Sequence, residues 1–356
     1  MSDQPKIKIT LEDIENAGSV TSNAVEGAAP SAAGAGSRKY GNISEVAAAK
    51  ASTAEPLTEK LYMKGWFYLG AAGLAGAFLG WGICEPWFED ATEARGWADF
   101  LMMPLVVTLM CVGFGVAESV VERSVRKAAY RGGLVIIVGV ILGFVFDFAA
   151  NIIFNIALGV AFALGVDGFE NPGFWVARAL GWTVFGVAGG VVYGLVGQSV
   201  KKGQYGVLGG IIGASIGGLL FDPIVMLVEG AELSRAVGFG LFGCATGAGI
   251  GLVESALKDR WLHVSGGPLA GKQFILYKPV TTIGSSQGSD IYLFKDQSIL
   301  PGHAVIQMRS GRTWMIGSGP VFVAGQPKRE ALLAHGDVMQ IGRYTFHYQE
   351  KQREAR

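Results

Sequence analysis

Six apolar blocks, near residues 66–84, 97–117, 132–150, 174–196, 205–228 and 235–257, set the strongest limit on what this chain can fold into. Each holds close to the ~20 residues that carry an α-helix across a hydrocarbon core of ~30 Å. Polar links separate them. Apolar sequence concentrated in such blocks does not suit a single soluble globule, and residues 58–257 are therefore expected to form a six-helix transmembrane domain. An even number of crossings places both ends on one side. The links ERSVRKAAYR (122–131) and KKGQ (201–204), and the KDR (258–260) after the last block, are rich in Lys and Arg. The opposite links, 85–99, 166–172 and 229–235, are rich in acids. By the positive-inside rule both termini face the cytoplasm, in a cytoplasmic (inner) membrane. The third block continues almost uncharged to residue 166, with Asp147 alone between Gly132 and Val166. One helix of that length exceeds the bilayer, so a membrane helix followed by a separate outward segment is expected.

The blocks read as three copies of a two-helix unit, about 64–128, 129–202 and 203–257. ARALGWTVFGVAGGVVYGLV (177–196) aligns with SRAVGFGLFGCATGAGIGLV (234–253), pairing Arg178 with Arg235 and Gly186, Gly190 and Gly194 with Gly243, Gly247 and Gly251. FGVAES (114–119) echoes IGLVES (250–255), and Gly73, Gly76 and Gly80 match Gly210, Gly213 and Gly217. Glycine at four-residue steps makes a smooth helix face on which a neighbouring backbone can close. Packing within one bundle explains these faces; contacts in a homo-oligomer or beside a larger membrane complex are the alternative.

Each unit places one acid at the same position: Glu85, Asp147 and Asp222. Buried charge in lipid marks a functional position unless it is paired. Arg178 and Arg235 open the helices that follow the second and third acids, so Asp147–Arg178 and Asp222–Arg235 ion pairs within hairpins are expected, against the alternative of an ion or proton relay. The first unit has Ala98 or Asp99 where the others have Arg, which leaves Glu85 near Asp99 or Arg95 as the acid without a fixed partner.

Residues 1–57 are rich in Ala, Gly and Ser and too poor in large apolar groups to offset the entropy of ordering, so a disordered cytosolic tail is expected. Within it KIKITLEDIENA (6–17), with Thr10 and Asp13 spaced as a capping box, reads as a transient helix or a docking peptide. With 29 Lys+Arg against 29 Asp+Glu, the chain carries no basic excess for a nucleic acid. Three scattered cysteines, and four histidines that all lie beyond residue 260, form no metal-ligand spacing. Phosphate-binding GxxxxGK[ST] and kinase patterns are missing from the sequence. Neither enzyme activity nor a cofactor or metal is expected.

Residues 258–356 change texture to short alternating strands: WLHV, KQFILY, VTTIG, HAVIQM, TWMIG, VMQIG and YTFHYQ. That pattern reads as an all-β sandwich. The stretches GPLAGKQFIL, TIGSS, SDIYLFKDQSILPGHAVI, VFVAGQP and LLAHGDVMQIGRYTF resemble the forkhead-associated (FHA) family over about 262–349. The resemblance implies a module that reads phosphothreonine peptides through loops at one end. The family's Gly-Arg, Ser-x-x-His and Asn-Gly motifs map onto Gly284-Ser285, Leu300…His303 and Ala324-Gly325. Ser285, Leu300 and Ala324 thus replace the residues that contact phosphate and peptide, while Gly284, His303 and Gly325 are retained. Serine cannot reproduce the bidentate clamp of arginine; Ser286, Lys295 and Arg312 are the candidate substitutes. The expected whole is a membrane scaffold or accessory subunit presenting a cytoplasmic FHA-like domain that binds protein partners without phosphate. A transporter or channel using the intramembrane acids, and a phosphothreonine-reading adaptor, are the rival readings.

Overall fold

A computed structural model describes residues 60–88, 96–165, 168 and 170–351. The expected N-terminal tail and its 6–17 helix lie outside the described residues. Among the described residues six α-helices follow one another: α1 (Gly65–Cys84), α2 (Trp97–Val121), α3 (Val125–Ala163), α4 (Pro172–Gly197), α5 (Val200–Leu227) and α6 (Ala231–Leu257). All six are long and apolar enough to cross a membrane.

Polar caps carry several helices beyond their apolar blocks. The Ser124 hydroxyl accepts from Lys127 N, the Ser199 hydroxyl from Lys202 N, and the Asn171 side chain from Gly173 N. Each satisfies a backbone donor that the first turn leaves without an intrahelical partner. The largest departure from expectation is α3. It is one continuous helix of 39 residues, about 58 Å at ~1.5 Å per residue, and not a membrane helix followed by a separate segment. It contains no proline, and its amides back-bond along one face: Asn151 Nδ2 donates to Asp147 O at 2.9 Å and Asn155 Nδ2 to Asn151 O at 2.7 Å. The bilayer-length argument constrains lipid contact, whereas local helix propensity decides where a helix ends.

Each helix packs on the next, and α6 packs back on α1, so the six close into a ring. The even helices α2, α4 and α6 also touch one another across the interior. Their shared core is built from Phe114, Trp182, Tyr193, Phe242 and Ile250, with Trp182 edge-on to Phe242 at 4.5 Å between ring centres. Glycine sets the helix spacing. A Cβ on Gly186 (α4) would strike the carbonyl of Gly210 (α5), and one on Gly210 would strike the carbonyl of Gly186. Gly243 (α6) and Gly73 (α1) block each other in the same way.

Eleven strands follow: β1 (Arg260–Gly266), β2 (Gln273–Ile275), β3 (Val280–Gly284), β4 (Ile291–Tyr292), β5 (Ala304–Arg309), β6 (Arg312–Gly317), β7 (Phe322–Val323), β8 (Gln326–Pro327), β9 (Glu330–Leu333), β10 (Val338–Ile341) and β11 (Tyr344–Glu350). They form two facing sheets, ordered β2-β1-β11-β10-β7-β8 and β4-β3-β5-β6-β9. Alternation along β11 buries Tyr344, Phe346 and Tyr348 against Ile283, Ile306 and Met315 of the other sheet, the period-two burial of a sandwich.

Candidate functional site

One end of the sandwich gathers the loops after β3, before β5 and between β6 and β8. Gly284 lies so close to the 300–301 backbone that a Cβ would enter the Pro301 carbonyl, and Ser285 N donates to Leu300 O at 3.0 Å. Leu300 N donates at 3.1 Å to His303 Nδ1, which makes His303 Nε2 the protonated nitrogen; it donates to Pro320 O at 2.9 Å. The ring is buried, and Ser318 N and Gly319 N both donate to its backbone carbonyl. His303 therefore ties the three loops together. Between β7 and β8 a two-residue turn places Ala324 at φ 50° and Gly325 at φ 76°. That left-handed pair suits Asn-Gly, and alanine occupies the first position against its steric preference.

These loops thus bring Gly284, Ser285, Leu300, His303, Ala324 and Gly325 to one end, with Leu300 46% and Phe322 39% exposed. Ser286 accepts from Gly288 N at 3.1 Å within its own turn. Arg312 is at the far end of β5, paired with Arg309 beyond a strand that begins at Ala304. It stands a strand's length from His303, so it cannot substitute for a clamp at 285. Lys295 stands in a left-handed conformation in the loop before β5, and its carbonyl accepts from Arg343 Nη1 at 2.7 Å.

A family model described as FHA domain matches residues 281–342. The glycogen accumulation regulator GarA of Mycolicibacterium smegmatis is 35% identical over 88 residues, 24% of this chain and 55% of the relative. The chain thus spans about half the length of that relative. The oxoglutarate dehydrogenase inhibitor of Corynebacterium efficiens is 34% identical over 117 residues, 32% of this chain and 79% of the relative. This chain belongs to the FHA family. Among solved structures, the FHA domain of the CT664 protein of Chlamydia trachomatis is 24% identical, covering 27% of this chain and all of that one, with a TM-score of 0.25. An FHA domain is a protein-interaction module, and the curated likeness covers the FHA end of the chain.

The FHA domain meets the helical bundle through a polar interface that sequence reasoning missed. Lys272 Nζ in the β1–β2 loop pairs with Glu122 at 2.8 Å, both side chains buried. Lys127 at the start of α3 donates to Ser289 O at 2.6 Å, in the loop that begins with Ser285. Beneath them Lys202 meets Glu118 at 2.5 Å, and Tyr277 OH donates to Glu254 at 2.5 Å. Burial, reinforced by the Glu254 carboxylate, pushes the Tyr277 phenol well above its ordinary range. Asp290 is partly buried, which raises its pKa, but Lys278 and two hydrogen bonds from Thr282 more than offset this and hold its carboxyl below the usual carboxylate range. Glu118, Glu122, Lys202, Glu254, Lys272 and Tyr277 line a cavity of about 110 Å³. The echo of FGVAES in IGLVES was the available signal, since it aligns Glu118 with Glu254.

At the other end of the bundle both expected arginines are paired, but with other partners than expected. Arg178 Nε binds Asp222 at 2.8 Å, and Arg235 Nε lies 3.2 Å from both oxygens of Glu85. The expected Asp147–Arg178 and Asp222–Arg235 pairs are not formed. Each arginine of an even helix reaches the next odd helix around the ring, α4 to α5 and α6 to the end of α1. Glu85 is therefore paired, and Asp147 is the acid left without a cation among the described residues; Arg95 lies outside them. Arg178 is also surrounded by Phe154, Phe174, Trp182 and Phe221, 4.9 to 6.0 Å from its guanidinium carbon to the ring centres.

This pairing has a measurable signature. Asp222→Asn should cost about 3 kcal/mol, because it strands a partly buried guanidinium, and the Arg178→Gln, Asp222→Asn double variant should lose less than the sum. Asp222→Asn with Arg235→Gln should be additive within about 0.5 kcal/mol. Chemical unfolding in detergent measures both cycles; strong coupling between Asp222 and Arg235 would contradict the observed partners.

Proposed function

We propose that this chain is a non-enzymatic integral membrane protein that presents its FHA domain on the cytoplasmic side as a docking module for protein partners. The helices support the membrane part of this reading. Ile136, Ile137, Ile141, Val145 and Phe148 of α3 are all exposed, and a face of that kind is stable in lipid and costly in water. The FHA domain packs on the helix ends whose links carry the excess of Lys and Arg, which by the positive-inside rule is the cytoplasmic side. Three two-helix units, and domain limits at 57 and 257, remain part of the proposal. Ion relay is the less supported alternative, since Glu85 and Asp222 are both neutralised by arginines.

The carrying observation for function is the loop end of the FHA domain. Ser285, Leu300 and Ala324 stand together where the family's phosphate- and peptide-contacting residues are expected, and the exposed Leu300 and Phe322 give that end an apolar character. Partner binding is therefore independent of phosphate. The test uses the full chain in nanodiscs against matched phosphothreonine and unphosphorylated peptide libraries. No phosphate-dependent binding tighter than about 100 μM is expected, a limit near 5.5 kcal/mol of binding free energy. The variant combining Ser285→Arg, Leu300→Ser and Ala324→Asn should acquire phosphate dependence of at least tenfold. Phosphate-dependent micromolar binding by the unaltered chain would reject the reading.

A further inference from the structure

A cavity of about 360 Å³ lies between α2, α3, α4 and α6, at the end of the bundle away from the FHA domain. That volume falls within the range of small-molecule sites. At the register set by the FGVAES and IGLVES echo, Asp99 of α2 occupies the position that Arg178 holds in α4 and Arg235 in α6. All three line this cavity. Two of the three positions thus supply a guanidinium to an acid on the neighbouring odd helix. The third supplies an acid, and it faces the remaining acid, Asp147, across the same cavity. Glu85 and Asp222 neutralise the two arginines, so Asp99 and Asp147 are left without a cation among the described residues. Asp99 Oδ2 accepts from Gly96 N at 2.8 Å, which fixes the carboxylate but brings no charge. Asp147, Ala150, Asn151 and Phe154 lie three, four and seven residues apart, on one face of α3, and all four reach the cavity. Trp182 and Phe239 complete an aromatic wall. The protein's own way of holding a guanidinium, a carboxylate with aromatic rings about 5 to 6 Å away, is seen at Arg178.

We propose that this cavity binds an organic monocation, an ammonium or guanidinium on a compact apolar body, which occupies the position left by the missing third arginine. Asp147 and Asp99 take the charge, and Phe154, Trp182 and Phe239 take the body. The inference goes beyond the docking role and does not rest on it.

The test is calorimetric titration of the full chain in phosphatidylcholine nanodiscs with 2-phenylethylammonium, and with 3-phenylpropionate as the charge control. Saturable binding of the cation and none of the anion is expected. Asp147→Asn should weaken the cation at least tenfold. Asp99→Arg, which supplies the missing guanidinium from the chain itself, should abolish binding and raise the unfolding midpoint. Adding phosphatidylethanolamine, whose headgroup carries a primary ammonium, separates two sources of the same chemistry. Competition with the probe identifies the lipid headgroup, and unchanged binding identifies a free amine; either supports the site. No binding by the unaltered chain, equal binding of cation and anion, or unchanged affinity in a folded Asp147→Asn variant would overturn the proposal. The comparison of cation with anion needs no variant, so misfolding of either mutant leaves the test decisive.

Discussion

Gly186→Val, Gly210→Val and Gly247→Val should each prevent the helical bundle from assembling. A Cβ at any of the three would enter a backbone carbonyl of the facing helix: that of Gly210, Gly186 or Leu69. Side chains can rotate away from a clash, but a helix backbone can yield only by moving the whole helix. Overpacking that a core can absorb costs about 1–3 kcal/mol. Here two helices must separate along their length, so at least the upper end of that range is expected, with loss of dispersion contacts that nothing in lipid replaces. The control is Gly133→Ala, where a Cβ would meet nothing within 4 Å. That change should be neutral or stabilising by up to about 1 kcal/mol, from helix propensity alone. Size-exclusion profiles and thermal unfolding in mild detergent distinguish the two classes. Normal behaviour of Gly186→Val would contradict the observed α4–α5 approach.

Breaking the Lys272–Glu122 pair is the second large effect. Lys272 is 3% and Glu122 4% exposed, so Lys272→Met leaves a buried carboxylate without its nearest cation. Orphaning one member of a buried pair typically costs about 3–5 kcal/mol. The lower end applies, because Lys127 Nζ remains 3.5 Å from the same carboxylate. Lys272→Met together with Glu122→Leu should recover much of the loss, since no charge is then stranded. Hydrogen exchange across the β1–β2 loop, with protease cleavage near residues 258–260, reports release of the FHA domain from the bundle. Equal destabilisation by the single and double variants would show that the pair does not hold the interface.

The six helices were legible because apolar blocks of about twenty residues leave a chain few options, and the block at 235–257 differs from α6 only at its start, which lies at Ala231. The sandwich was legible from the alternation in HAVIQM and YTFHYQ, which became β5 and β11 with that burial. The unbroken α3 was not, because the thickness of a bilayer limits lipid contact and not helix length, and the local sequence contains nothing to end the helix. The acids and arginines at the far end are plain in the sequence, but their partners are not. Sequence proximity favours pairing within a hairpin, yet a closed ring gives every even helix two odd neighbours, and the face carrying the arginine chooses between them. Lys272 was invisible for a different reason. A lysine beside Gly271 in a turn reads as solvated, and only the approach of Glu122, 150 residues earlier, makes it a buried contact.

The closure of α6 onto α1 has a consequence for how the protein is made. Glu85 emerges from the ribosome early, and Arg235, its partner, follows 150 residues later. At a synthesis rate of ~5–20 residues per second, that interval is roughly 8–30 s. Throughout it the first helix of the nascent chain ends in a carboxylate whose native guanidinium has not been made, and Gly73 faces an absent Gly243. The first hairpin therefore cannot complete its native contacts until the last one arrives to seal the ring.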